Sequence, residues 1–99
     1  MLFVLTTIYD YSAILECYYQ NEIIYKIKLT ESIIKIHKVD NKIVITVYTE
    51  SKHKRVQFRI SKDNEFLYIP YGGTYKGLTF NELYEKLIIY NNVKRSKQQ

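Results

Sequence analysis

The chain has 99 residues, enough for one small core and too few for two, so a multidomain protein is excluded. Hydrophobic residues make up 46% and charged residues 25%, which excludes a disordered segment, and 3 Gly with 1 Pro exclude collagen-like or linker character. The net charge of +5 is uneven: residues 1–50 hold five Lys against six acids, and residues 51–99 hold ten bases against four acids, so a partner drawn by the field is anionic and meets the second half first. A single cysteine, Cys17, excludes an internal disulfide and points to an intracellular setting. No run approaches the ~20 apolar residues of a membrane span, and the opening Met1–Leu5 is too short for a signal-peptide core, so no transmembrane segment is expected. The 11 Tyr are read mostly as strand residues with apolar bodies and wet tips.

In chain order, Leu2 to Ile8 is rich in branched and aromatic residues and predicts a strand. Asp10 or Ser12 then caps a predicted short helix running to about Gln20. Alternation from Ile23 to Leu29 predicts a strand with one wetter face, and Ile33–Val39 with Ile43–Thr49 predict a hairpin about Asp40-Asn41-Lys42. Val56, Phe58 and Ile60 alternate with Arg55, Gln57 and Arg59, giving a strand that buries one face and presents a basic, polar one. Lys62 to Glu65 reads as a turn and Phe66 to Ile69 as a short strand, stopped by Pro70, Gly72 and Gly73 before a loop to Gly77. Thr79 and Glu82 stand at capping-box spacing, and Leu83, Leu87 and Tyr90 form the apolar stripe of a C-terminal helix. The expectation is an α+β domain over residues 1–91, a central antiparallel sheet flanked by two helices, followed by a basic, flexible tail at 92–99.

Three stretches carry a family resemblance within residues 42–90. KRVQFRISKDNEFLYI, Lys54 to Ile69, is similar to the fourth and fifth strands of Src-homology-2 domains; LTFNELYEKL, Leu78 to Leu87, looks like their second helix; KIVITVYTE, Lys42 to Glu50, resembles their third strand. The resemblance implies a phosphotyrosine-binding module. Arg59 falls where the family places a basic side chain against the phosphotyrosine, and Gln57 where it usually has His. The strand matching the family's forked phosphate-binding Arg, Ser32 to Val39, has no Arg, so Lys35 and His37 take that place, with Arg55 assisting. Ile69, Tyr71, Gly73 and Tyr75 would flank the groove for the residues after the phosphotyrosine. The family's last loop and strand have no counterpart, which implies weak selectivity beyond the anion. Separately, the mix of Ile, Lys, Tyr and Asn with scarce Gly, Pro and Ala looks like small proteins of AT-rich viruses, including filamentous viruses of archaea, and would place the protein in the host cell cytoplasm.

Other candidates weigh less. Lys52, His53, Lys54 and Arg55 sit at a predicted turn, and Lys94, Arg95 and Lys97 in the tail; such clusters are usually solvated. His37 and His53 lie in different elements, Cys17 on an apolar helix face reads as a buried hydrophobe, and Gly72-Gly73 lacks the rest of a phosphate loop, so no catalytic residue, metal or cofactor is expected. The functional expectation is a non-catalytic module that binds a phosphorylated or otherwise anionic peptide on its basic strand face. A nucleic-acid-associated protein using the same face with Tyr stacking is the alternative, and a homodimer through an exposed strand edge the third.

Overall fold

The segment expected as the first helix is a strand. In the computed structural model, which describes residues 1–9, 12–29, 33–50 and 53–97, Ala13, Leu15 and Cys17 are fully buried and alternate with the partly exposed Ile14, Glu16 and Tyr18. That is the two-residue period of a pleated strand, whereas a helix would turn Leu15 away from Ala13 and Cys17. The chain therefore runs β1 (Leu2–Tyr9), β2 (Ser12–Tyr19), β3 (Glu22–Lys28), β4 (Ile33–Val39), β5 (Lys42–Thr49), β6 (Lys54–Ser61), β7 (Glu65–Ile69) and α1 (Phe80–Lys97). Of the two expected capping residues, Asp10 lies outside the described residues and Ser12 begins β2. Gln20 and Asn21 join β2 to β3 with φ of 51° and 68°, the paired left-handed conformation that suits the twist of a two-residue hairpin.

The strands form two sheets, so the central sheet between two helices is replaced by a predominantly β architecture with one helix. One sheet has the order β3-β2-β1-β7, with β7 parallel to β1 and the other pairs antiparallel. The other is the antiparallel meander β4-β5-β6. Phe3, Leu5, Leu15, Cys17 and Ile27 of the first sheet share one core with Ile36, Ile43, Ile45 and Ile60 of the second. Tyr25 of β3 and Phe58 of β6 meet across the two sheets with ring centroids 4.3 Å apart. Burial in this contact holds the Tyr25 phenol above its ordinary range.

Helix α1 adds Leu83, Leu87 and Tyr90 to that core and packs against β4. Lys38 of β4 lies 5.5 Å from the Tyr84 ring centroid, and Lys86 lies 5.4 Å from that of Tyr68 on β7, so the helix is fastened to an edge strand of each sheet. Its start is the capping box read from the sequence: Thr79 Oγ1 accepts from the Glu82 amide at 3.2 Å, and Glu82 Oε1 accepts from the Thr79 amide at 3.1 Å. These bonds, Thr79 foremost, hold the Glu82 carboxyl below its ordinary range. The helix continues to Lys97, so residues 92–97, expected as tail, are helical. It is not long and apolar enough to cross a membrane.

Candidate anion-binding face

Antiparallel pairing in the β4-β5-β6 sheet sorts its side chains into two faces. Ile36, Ile45 and Phe58 lie in one row and face the core. The neighbouring rows face outward. They comprise Tyr48 with Arg55, then Lys35, Thr46 and Gln57, then His37, Val44 and Arg59, then Val39, Lys42 and Ser61. All five residues expected to bind an anion, Lys35, His37, Arg55, Gln57 and Arg59, thus lie on one face.

Lys35 reaches this face through an irregularity. The pairing shifts between Ile33 and Lys35, so Ile33 stays buried opposite Val47 while Lys35 comes opposite Thr46 and is exposed. Two residues that would share a face in a regular strand are thereby turned to opposite sides.

Each of the four outward rows carries one cation: Arg55, Lys35, Arg59 and Lys42. With two residues per row at about 3.4 Å each, the four rows span about 20 Å. Val44, at the centre, is only 7% exposed although it is outside the core cluster, because it is flanked across the sheet by His37 and Arg59. The stems of such long side chains cover apolar surface while their heads stay wet. His37, Lys42, Val44, Gln57 and Arg59 line an open groove of about 310 Å³, with Asp40 at its end. Arg59 Nη2 donates to Gln57 Oε1 at 3.5 Å, which keeps both groups on the groove wall. His37 Nδ1 is buried without a hydrogen-bond partner, alone in this among the described residues.

A second cavity, of about 360 Å³, lies where β3 approaches the other sheet and is lined in part by Lys26, Lys28, Tyr48, Glu50 and Phe58. Tyr48 belongs to both surfaces. It is 39% exposed, and its hydroxyl is hydrogen-bonded to His53 Nδ1 at 2.8 Å, with His53 at φ 49°. Lys42 and Tyr48 are not among the site residues the sequence points to, Lys42 being expected both at the hairpin turn and at the start of the strand that resembles the family's third. Starting β5 at Lys42, directly after a two-residue Asp40-Asn41 turn, puts Lys42, Val44, Thr46 and Tyr48 on one face.

The expected peptide groove is not assembled with these residues. Ile69 ends β7, and Tyr71, Gly73 and Tyr75 lie in the exposed loop beyond it. That loop is tied to the other sheet: the Tyr71 amide donates to Thr7 Oγ1, and the Lys76 amide to the Tyr68 carbonyl at 3.2 Å. Lys52 lies outside the described residues, and the backbone at Lys94, Arg95 and Lys97 is helical. Cys17 is a free, buried thiol, on a strand rather than a helix face. Among the described residues, no three His, Cys, Asp or Glu side chains are grouped as metal ligands. The chain matches no protein-family model, no curated protein and no solved structure.

Proposed function

We propose that this protein is a non-catalytic binding module whose β4-β5-β6 outer face takes an extended polyanion, best matched by single-stranded nucleic acid. The observation that carries the reading is the distribution of charge: one cation in each of four successive rows, rather than several donors converging on a point. A lone phosphate is bound by convergent, preferably forked, donors. A backbone with many phosphates is met by a basic strip with aromatic platforms beside it. Tyr48, exposed at one end of the strip and steadied by His53, is placed to stack a base. The cavity beside Tyr48 is lined by Lys26 and Lys28 together with Glu50.

A phosphotyrosine peptide is the second reading, supported by the groove in which Arg59, Lys42 and His37 stand around one opening. Fluorescence anisotropy with a labelled oligothymidylate of roughly 16 nucleotides, a phosphotyrosine peptide and its unphosphorylated parent separates the two. Binding of the oligonucleotide, weakened in Arg59→Ala and in Tyr48→Ala, is expected. Binding of the phosphopeptide alone would transfer the face to the second reading, and binding of neither would remove the proposal.

A further inference from the structure

We infer that the groove at the hairpin end of the basic strip holds a terminal phosphate, so that a single strand lies along the β4-β5-β6 outer face with its phosphorylated end seated there. This placement rests on the single-strand reading above and adds which part of the strand the groove takes. Along most of the strip the cations stand one per row, but the last two rows share one groove, where Arg59 and Lys42 meet His37 and Gln57. Spaced cations suit internal phosphates, each a diester with one charge and two free oxygens. A terminal phosphate is a monoester with three free oxygens and a charge of about −1.5 to −2 at pH 7, and converging donors match it.

Each donor is set by its surroundings. His37 is partly buried, and its Nδ1 is shut off from water without a hydrogen-bond partner, the one such side-chain atom among the described residues. A hydrogen on Nδ1 would be a buried donor lacking an acceptor, which is costlier than a bare lone pair. The neutral ring therefore carries its hydrogen on Nε2, the nitrogen left to the groove that His37 lines. Gln57 Oε1 accepts from Arg59 Nη2 at 3.5 Å, which commits the amide oxygen and leaves the amide nitrogen to donate. Lys42 and Arg59, both exposed, bring the positive charge.

The strip also stops here. Asp40 lines the end of the groove, and its carboxylate repels a phosphate backbone that would run on past Lys42. Two cations outweigh that one acid, so the groove itself stays positive. The two turns at this end are tied in place: the Lys62 amide donates to the Asn41 carbonyl at 2.8 Å, and the Ser61 amide to Asn64 Oδ1 at 2.7 Å. A strand that follows the cations thus reaches a fixed wall exactly one group beyond its last contact with the row of His37 and Arg59, which is where an end fits and a continuing chain does not.

Anisotropy of the full chain with internally labelled oligothymidylates of roughly 16 nucleotides tests this. One carries a 5′-phosphate and one a 3′-phosphate, and the reference is unphosphorylated but one nucleotide longer, so that all three hold the same number of phosphates. At least one phosphorylated form is expected to bind about tenfold tighter than the reference or better, the size of one charge-assisted hydrogen bond, and the form that does so identifies the end. His37→Phe and Lys42→Gln, both checked for folding by circular dichroism, are expected to lower that ratio toward one. Should His37→Phe fail to fold, Lys42→Gln alters an exposed residue and still reads the groove. Equal binding of the three oligonucleotides overturns the inference and leaves strand binding standing. A ratio that neither variant lowers overturns it too, because the phosphate then lies outside the groove. Binding of no oligonucleotide in any form removes the strand reading itself, and a phosphotyrosine peptide bound in their place gives the groove to the second reading.

Discussion

Salt dependence puts a number on the basic strip. Each phosphate neutralised by a cation releases counterions, and for single strands log K falls with log salt at a slope of about −0.7 per contact. The four cations Arg55, Lys35, Arg59 and Lys42, one per row, therefore predict a slope of about −2.8. Raising salt fourfold should weaken binding about 50-fold at that slope. Removing one contact with Arg59→Ala should bring the slope to about −2.1, in addition to lowering affinity at every salt concentration. The assay is anisotropy of a labelled oligothymidylate titrated at several potassium chloride concentrations, wild type and variant side by side. A slope near −4 would mean that the strand continues over Lys26 and Lys28 into the second cavity. A slope near zero, or an Arg59→Ala slope equal to that of wild type, would refute the strip.

The remaining predictions concern the scaffold that presents it. Thr79→Ala removes the hydroxyl that caps α1 and should cost about 1 kcal/mol, lowering the melting midpoint by about 4–8 °C in a circular-dichroism scan. Because Glu82 is held below its ordinary pKa, its stabilising contribution is present above the unfolded value of about 4.3 and is lost as pH falls through the folded one. The stability gap between wild type and Glu82→Gln should therefore narrow in acid. Burial, with Tyr68 nearby, pushes the Tyr90 phenol up to about 12, and Tyr25 is raised as well. Both favour the neutral phenol in the fold. Their contribution is complete below the unfolded pKa of about 10 and is lost as pH rises through the folded values, so urea midpoints should hold to pH ~9 and fall beyond ~10. Leu15→Ala should cost about 2–5 kcal/mol by urea unfolding, against ~0.5 kcal/mol or less for Glu16→Ala on the outer face. Equal costs at the two positions would contradict the strand alternation of β2.

What was legible in the chain is what depends on neighbours within one strand or one helical turn. The alternation of β6 declared Arg55, Gln57 and Arg59 to be on one face, and the spacing of Thr79 and Glu82 declared the helix start. Ser12–Tyr19 was misread because Asp10 and Ser12 resemble caps. The cue that outweighs them, strict alternation at Ala13, Leu15 and Cys17, ends in a Gln20-Asn21 turn without glycine. The parallel pairing of β1 with β7 joins residues over sixty apart in sequence, and no local signal reports it. The candidate site lies between these cases. Lys35 and His37 were assigned by resemblance to a family whose two-helix architecture this fold does not have. What sets them beside Gln57 and Arg59 is instead the β4-β5-β6 meander, with Thr46 and Val44 in between. His37 reaches its row by unbroken alternation back from the Asp40-Asn41 turn, whereas Ile33 and Lys35 are separated by a shift that only the pairing with Val47 and Thr46 reveals. A strip of one cation per row is accordingly a property of the sheet rather than of any strand. Moving Lys42 into the turn would leave the composition and net charge unchanged and still break it.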